Sequence, residues 1–418
     1  MVVFLNTIFV PDYRAMTIKK ISIDRLQPGM FVHDLNWSSN SGHLIHGHFS
    51  VADEPQIAAL RELGGRELYI DTVLGDDARE APTMQDVRSG LEAQLLEIGQ
   101  GAENNFSRDV HEEIEQARSV HESATLFVGN LMSQVRTGAL EDVGHELLDL
   151  AQGLNLSVSR NPHALISLAQ VRDRDDYTFL HSVGSAILMG AFCRTLHLGG
   201  EAGRHLVIGA LLHDVGKMRV DNAILNKPGC LTAEEFEHIK QHVRFGEEIL
   251  AEQPLLAETS LMVARQHHER LDGTGYPRGL DEREISHFGQ MAAIVDVYDA
   301  LTSERVYHSA MEPVEVILKL LEWSGQHLNG ELVQHFIRTV GAFPDGTLVR
   351  LASGRLAQVI RQGVGGGVRP VVRMVYDTAS RREITSPDID LYNGAEDDLI
   401  VGWEAWEKWG LTPTPLLS

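Results

Sequence analysis

Residues 207–217 read VIGALLHDVGK, an unbroken apolar run that ends in a histidine–aspartate pair and a lysine. Such a run is a buried helix, and it delivers His213 and Asp214 together at its end. A neutral imidazole beside a carboxylate offers one nitrogen and one oxygen ligand to a borderline or hard divalent metal. The carboxylate has two oxygens and can therefore bridge two ions. Lys217 follows Asp214 by three residues, on the same helical face, where a cation can meet a phosphate. Alone, the pair is weak evidence, because such dipeptides occur by chance.

Further histidines gather on either side. DDYTFLHSVGSAILMG (175–190) carries His181, and EHIKQHVRFGEEIL (237–250) carries His242. ARQHHERLDGTGYP (264–277) carries His267 and His268, and MAAIVDVYDALTSERVY (291–307) carries Asp296. Each lies on or at the end of an apolar helical segment, so several helices can converge their ligands on one core site. A single histidine of this kind is usually a structural core residue. Five histidines and two aspartates in one region reverse that expectation, and ten of the chain's 20 histidines fall between His181 and His308.

The rest of the 418 residues sets the context. Hydrophobic residues make up 43% and charged residues 23%, an ordinary globular composition that excludes a mainly disordered or fibrous chain. With 36 Lys plus Arg against 59 Asp plus Glu, the net charge is −23 and the pI about 5.2, which argues against polymeric DNA or RNA as a partner. Two cysteines, Cys193 and Cys230, cannot staple a protein of this size, so a reducing cytoplasm is the expected setting. No segment approaches the ~18–20 apolar residues of a membrane helix. The opening MVVFLNTIFVPDYR lacks a basic n-region and a small-residue cleavage site, so it reads as a tail (1–15) rather than a signal peptide.

Periodicity divides the chain beyond residue 15. Residues 16–75 read as a small α/β domain, with strand-like KISIDRLQPGMFVHDL turning at Pro28-Gly29, helical PQIAALRELGG and a returning strand ELYID. Polar, turn-forming residues 76–86 read as a linker. From 87 to 344 the pattern is helical, with a core over about 145–344. RDVHEEIEQARSVHESATLFVGNLMSQV (108–135) is a long amphipathic helix that suits a dimer seam, a lever, or plain packing on its own domain equally well. Beyond Pro344 the period shifts to about 2, giving a β-rich appendix (345–418) that ends in Trp403, Trp406 and Trp409, read as a buried cap. The fold class is mainly α: an all-helical domain that carries the candidate metal ligands, between a small α/β domain and a short β appendix.

His213-Asp214, with His181 upstream and Asp296 downstream, resembles the HD superfamily of metal-dependent phosphohydrolases. HHERLDGTGYP, from His267 to Pro277, matches the HHExxDGxGYP signature of its HD-GYP subgroup at every specified position, and VDVYDALTSERVY is similar to that subgroup's DxxDALxxxRxY. The resemblance covers about residues 145–345, and the N-terminal domain is similar to an uncharacterised type that often precedes HD-GYP domains. It implies hydrolysis of cyclic di-GMP to pGpG, and in many cases on to GMP, at a dinuclear metal site. One metal would be held by His181, His213, Asp214 and Asp296, and Asp214 would bridge to a second held by His242, His267 and His268. Iron is the implied metal, with manganese or nickel also suited to the donor set. Lys217 would stabilise or protonate, and Arg305 would clamp a phosphate.

Two positions depart from the family pattern. A glutamate that binds a third metal in some members is replaced by Tyr177, which implies a dinuclear site with Tyr177 lining the entrance. A lysine three residues after the arginine is replaced by His308. Tyr276 has two readings: an exposed aromatic that touches guanine or docks a diguanylate cyclase domain, or part of a plain tight turn. His43, His46 and His48 are read as a solvated loop, and nothing marks Cys230 as a nucleophile. The competing functions are a catalytically silent receptor that binds the nucleotide or a partner and signals through the long helices, and an HD phosphohydrolase of another nucleotide; a homodimer is a separate partner expectation.

Overall fold

The computed structural model describes residues 17–36, 48–62, 64–100, 104, 106–170, 177–227, 231–303, 310–364, 366–394 and 398–416. The chain divides into two compact units, Met1–Ala93 and Gln94–Ser418. In the first, strands Ile18–Ser22 (β1), Phe31–Asp34 (β2), Phe49–Ser50 (β3) and Glu67–Asp71 (β4) form an antiparallel sheet in the order β1-β4-β2-β3. The helix Glu54–Glu62 (α1) contributes Ile57 and Leu60 to a core with Ile21, Val32, Leu68 and Ile70.

Residues 76–86, which composition marks as a linker, are packed instead. Ala78 and Ala81 are buried in that same core, the Lys20 N–H donates to Pro82 O at 3.0 Å, and the Arg25 guanidinium donates to Arg79 O at 2.8 Å. Polar composition describes the exposed side chains of this segment. Its packing runs through backbone groups and small alanines, which composition does not weigh. The helix Met84–Gly99 (α2) crosses the division between the units.

The second unit is helical through Val340. Its elements are Val110–Thr137 (α3), Gly144–Arg160 (α4), Pro162–Ala169 (α5), Tyr177–Thr195 (α6), Gly200–Leu212 (α7), Asn222–Leu225 (α8), Ala233–Lys240 (α9), His242–Ala251 (α10), Glu258–Gln266 (α11), His287–Thr302 (α12), Pro313–Glu322 (α13) and Gly330–Val340 (α14). Asp109 and Glu112 form a capping box that starts α3, and Val110, Ala117, Ala124, Val128, Leu131 and Val135 keep one face buried at helical spacing. That face packs on α4, α5 and α6 of its own unit. At the centre, α6 and α7 are apolar on nearly every side, as helices enclosed by neighbours must be.

The C-terminal residues form a sheet in the order β10-β5-β6-β7-β8, from Leu348–Leu351 (β5), Arg355–Arg361 (β6), Val371–Asp377 (β7), Arg382–Glu383 (β8) and Ile400–Trp403 (β10), with Ile389–Asp390 (β9) pairing β7. This sheet belongs to the helical unit rather than standing apart. The Asn104 side chain donates to Gly363 O at 3.0 Å, and the buried Asp345 carboxyl accepts from Ser167 Oγ and Gln362 Nε2. The turn Trp406–Trp409 (α15) caps the sheet: Trp406 is buried on Leu348 and Leu356 and donates from Nε1 to Gly346 O at 3.2 Å.

Candidate metal centre

Five helices bring the seven candidate ligands together, all of them 6% exposed or less. His181 lies in the second turn of α6, and His213 and Asp214 follow the last residue of α7. His242 opens α10 directly after α9, His267 and His268 follow α11, and Asp296 lies inside α12. The chain leaves Asp214 in a short 3-10 turn, Val215–Arg219, that presses on α10. A Cβ at Gly216 would come within 1.9 Å of His242 O, so only glycine permits this approach between the two ligand segments.

The ligand atoms form two groups, each able to hold a metal ion: His181, His213 and Asp296, and Asp214, His242, His267 and His268. In the first, His181 Nε2 lies 3.0 Å from Asp296 Oδ1 and 3.3 Å from His213 Nε2. In the second, His242 Nε2 lies 3.4 Å from His267 Nε2 and 3.3 Å from Asp214 Oδ1. The other oxygen, Asp214 Oδ2, faces His213 Nε2 at 3.3 Å. Asp214 therefore presents one oxygen to each group.

The hydrogen bonds on the far side of each ring fix what the near side can do. The Nδ1–H groups of His213, His242 and His267 donate to the carbonyls of Ala210, Ile239 and Ala264 at 2.7, 2.7 and 2.9 Å. A carbonyl only accepts, so each ring carries its proton on Nδ1 and turns an Nε2 lone pair inward. His181 Nδ1 meets the buried Asp299 carboxylate at 2.6 Å, a carboxylate–histidine pair that aims Nε2 in the same way. Ring nitrogens 3.3–3.4 Å apart hold that distance with a proton or a metal ion between them. Asp214 Oδ1 is also buried without a hydrogen-bond donor. The donor set fits divalent ions.

Electrostatics agree. Burial pushes His242 down to about 4 and His267 to about 3, and takes His268 well below its ordinary range, so these rings stay neutral lone-pair donors. Burial also opposes charge on His213, but the carboxylates of Asp214 and Asp296 outweigh it and hold the ring up at about 10, so its Nε2 keeps a proton that a bound metal ion would replace. The field of the two carboxylates thus favours a cation at this point. Burial likewise opposes charge on Asp214, but Lys217, whose Nζ lies 2.5 Å from Oδ2, and His213 keep it ionised well below the usual carboxylate range.

The turn after His268 explains much of its motif. Glu269 is buried and accepts the N–H groups of Arg278 and Leu280 at 2.8 and 2.9 Å, which closes residues 270–280 into a loop. Asp272 accepts from Thr274 N and Oγ1 and faces His327 Nδ1 at 3.2 Å. A Cβ on Gly275 would meet Arg270 N at 2.4 Å. Tyr276 donates its N–H to His268 O, and its ring lies 4.6 Å from the His268 ring. It is 8% exposed, which overturns the reading of an exposed aromatic: the closed loop folds the ring inward onto a ligand. Asp299, the second aspartate of the DxxDAL match, has no role in the sequence reading, although DVYD places it one turn after Asp296 on the same helix. Arg305, His308, Cys230, His43 and His46 lie outside the described residues, as does the side chain of Tyr177. His48 packs edge-on against His33.

The HD domain family matches residues 158–332, and a domain of unknown function, DUF3391, matches residues 18–145. The cyclic di-GMP phosphodiesterase PA4108 of Pseudomonas aeruginosa is 35% identical over 94% of this chain and 93% of its own. The chain belongs to the HD-domain cyclic di-GMP phosphodiesterase family. Other relatives match over shorter lengths. A cyclic di-GMP phosphodiesterase of Thermotoga maritima is 36% identical over 41% of this chain and 46% of its own, and a 3′3′-cGAMP-specific phosphodiesterase of Vibrio cholerae is 39% identical over 36% and 32%. Among the described residues, no helix of this family member is long and apolar enough to cross a membrane.

Proposed function

We propose that this protein hydrolyses cyclic di-GMP to pGpG at a dinuclear centre, and that pGpG can be cut on to GMP. The observation that carries the proposal is Asp214, buried and unprotonated, with one oxygen facing each of two imidazole-rich groups. In this reading His181, His213, Asp214 and Asp296 hold one ion, and Asp214, His242, His267 and His268 hold the other. Iron is the proposed metal, with manganese and nickel as alternatives that the same donors suit. When bound, two divalent ions lower the pKa of water and neutralise charge on the phosphate.

The chain's own groups do the rest. The carbonyls of Ala210, Ile239 and Ala264, together with Asp299, hold the imidazoles in the tautomer that donates inward. Lys217 sits at the rim, 17% exposed, and can give a hydrogen bond to a phosphate oxygen or a proton to the departing 3′ oxygen. Water adds to phosphorus as the bond to that 3′ oxygen breaks. Arg305 is proposed to clamp the second phosphate and Tyr177 to line the entrance. Tyr276 acts by packing on His268, so docking of a cyclase domain through its ring is not supported. A cytoplasmic setting is part of the proposal, consistent with a chain that has only two cysteines, of which Cys193 is buried and free.

The test is metal analysis of anaerobically purified protein, with chromatography of products from cyclic di-GMP and, in parallel, 3′3′-cGAMP. About two ions per chain with pGpG formed faster from cyclic di-GMP supports the reading. Faster turnover of 3′3′-cGAMP would move the substrate to the mixed-base dinucleotide, and metal-free protein with undiminished turnover would end the proposal.

A further inference from the structure

A cavity of about 490 Å³ lies between α4, the last turn of α6 and the first turn of α7. Its lining contains no aspartate or glutamate, although acids outnumber bases 59 to 36 in the chain. It contains instead Arg194, His197 and Arg204. Arg204 Nε is buried and has no hydrogen-bond partner. A buried donor left unmade costs about 1–3 kcal/mol, and more when charged, so the chain's own acceptors leave this guanidinium incompletely satisfied where it lines the cavity. Arg194, half-buried with its guanidinium over the Phe106 ring, adds positive charge.

The backbone points the same way. Gly199 caps α7 without any side-chain hydrogen bond, and a Cβ on Gly199 or Gly200 would meet nothing within 4 Å, so there is open space beside the start of the helix, whose N-terminal end carries partial positive charge. Glu201, the acid of that turn, is outside the lining and its side chain is 87% exposed. Leu156 and Leu198 supply an apolar wall, and Asn155 and Ser159 supply neutral polar groups.

We propose that this cavity is a second ligand site that takes an organic phosphate of about mononucleotide size, with the phosphate between Arg204 and the start of α7 and the organic body against Leu156 and Leu198. The site is separate from the metal centre. Arg194 follows His181 by thirteen residues on α6, a rise of about 20 Å, and Arg204 precedes His213 by nine, about 14 Å.

Equilibrium dialysis with GMP, guanosine and inorganic phosphate as probes tests this on the metal-loaded full chain. GMP should bind both the native protein and Asp214→Asn, which impairs only the metal centre, and should bind more tightly than guanosine or inorganic phosphate. Arg204→Gln should raise the GMP dissociation constant by roughly 10–100-fold, the range for losing one charged hydrogen bond, and Arg204→Lys should recover part of it. Circular dichroism melts confirm that each variant is folded. GMP binding that is unchanged in Arg204→Gln, or that vanishes in Asp214→Asn, overturns the proposal. Inorganic phosphate binding as tightly as GMP overturns the assignment of an organic ligand.

Discussion

Replacing Asp299 separates a histidine that is held from one that is merely present. Its carboxylate takes the Nδ1–H of His181 at 2.6 Å, and both groups are buried. Hydrogen bonds to charged groups contribute about 1.5–3 kcal/mol net and neutral ones about 0.5–1.5, so Asp299→Asn should cost about 1–1.5 kcal/mol of the orientation and basicity of this ring. That is roughly a tenfold weaker hold on the ion facing His181 Nε2. Asp299→Ala removes the acceptor altogether and should approach the upper end of the ~10–100-fold range for such outer partners. The assay is competition between stripped protein and a chelating dye, which resolves two classes of metal. Asp299 holds His181, which belongs to the first group, so one equivalent should weaken while the other holds. Excess metal should restore hydrolysis in Asp299→Asn. Native affinity for both equivalents in Asp299→Ala, with the fold intact, would refute the role of Asp299 as the orienting partner.

Four further outcomes rest on the same geometry. Asp214→Ala should abolish turnover and lower bound metal, measured by elemental analysis, because it removes the carboxylate shared by both groups. Lys217→Ala should keep its metal while the rate falls by roughly 10²–10⁴, and a parallel loss of metal would make Lys217 structural instead. Tyr276→Phe should retain full metal, since the ring packs on His268 and its hydroxyl has no hydrogen-bond partner, whereas Tyr276→Ala opens a cavity beside that ligand and should lose metal. Burial holds the Asp345 carboxyl up at about 7, above its unfolded value, so the fold favours the neutral form. Its contribution is complete below about pH 4 and is lost as pH rises to about 7; Asp345→Asn should therefore flatten the fall in melting temperature over that window, and parallel native and variant curves would count against it.

What the sequence reveals of this site depends on whether the relevant spacing is local. His213 and Asp214 are adjacent, His267 and His268 are adjacent, and each ligand ends or interrupts an apolar helical run, so the set is visible without any knowledge of the fold. The capping residues of α3 are similarly local, and that helix lies where its periodicity places it. The position of Tyr276 is not local. It follows from Glu269 reaching backbone amides nine and eleven residues further on, a closure that no window of periodicity contains. The join between the helices and the C-terminal sheet is likewise made by Asn104 and Asp345 across long stretches of chain, so the shift in period at Pro344 marks a change of element rather than a separate body.

Asp299 shows why one ligand needs a partner that the others do without. His213 and His267 each stand one residue past the end of a helix, and His242 stands two residues past α9. Their Nδ1–H groups bond carbonyls three residues back, in the last turn of those helices, where backbone acceptors are short of intrahelical donors. The end of a helix therefore supplies both the position of the imidazole and its tautomer. His181 lies inside α6, where the carbonyl four residues back is engaged within the helix, and no such acceptor is offered. A carboxylate from another helix must take that proton, and the one-turn spacing of Asp296 and Asp299 on α12 lets a single helix supply both the inward ligand and the outer anchor. Moving that anchor by one residue would turn it off the shared face and leave His181 unanchored, while the three helix-end histidines kept theirs.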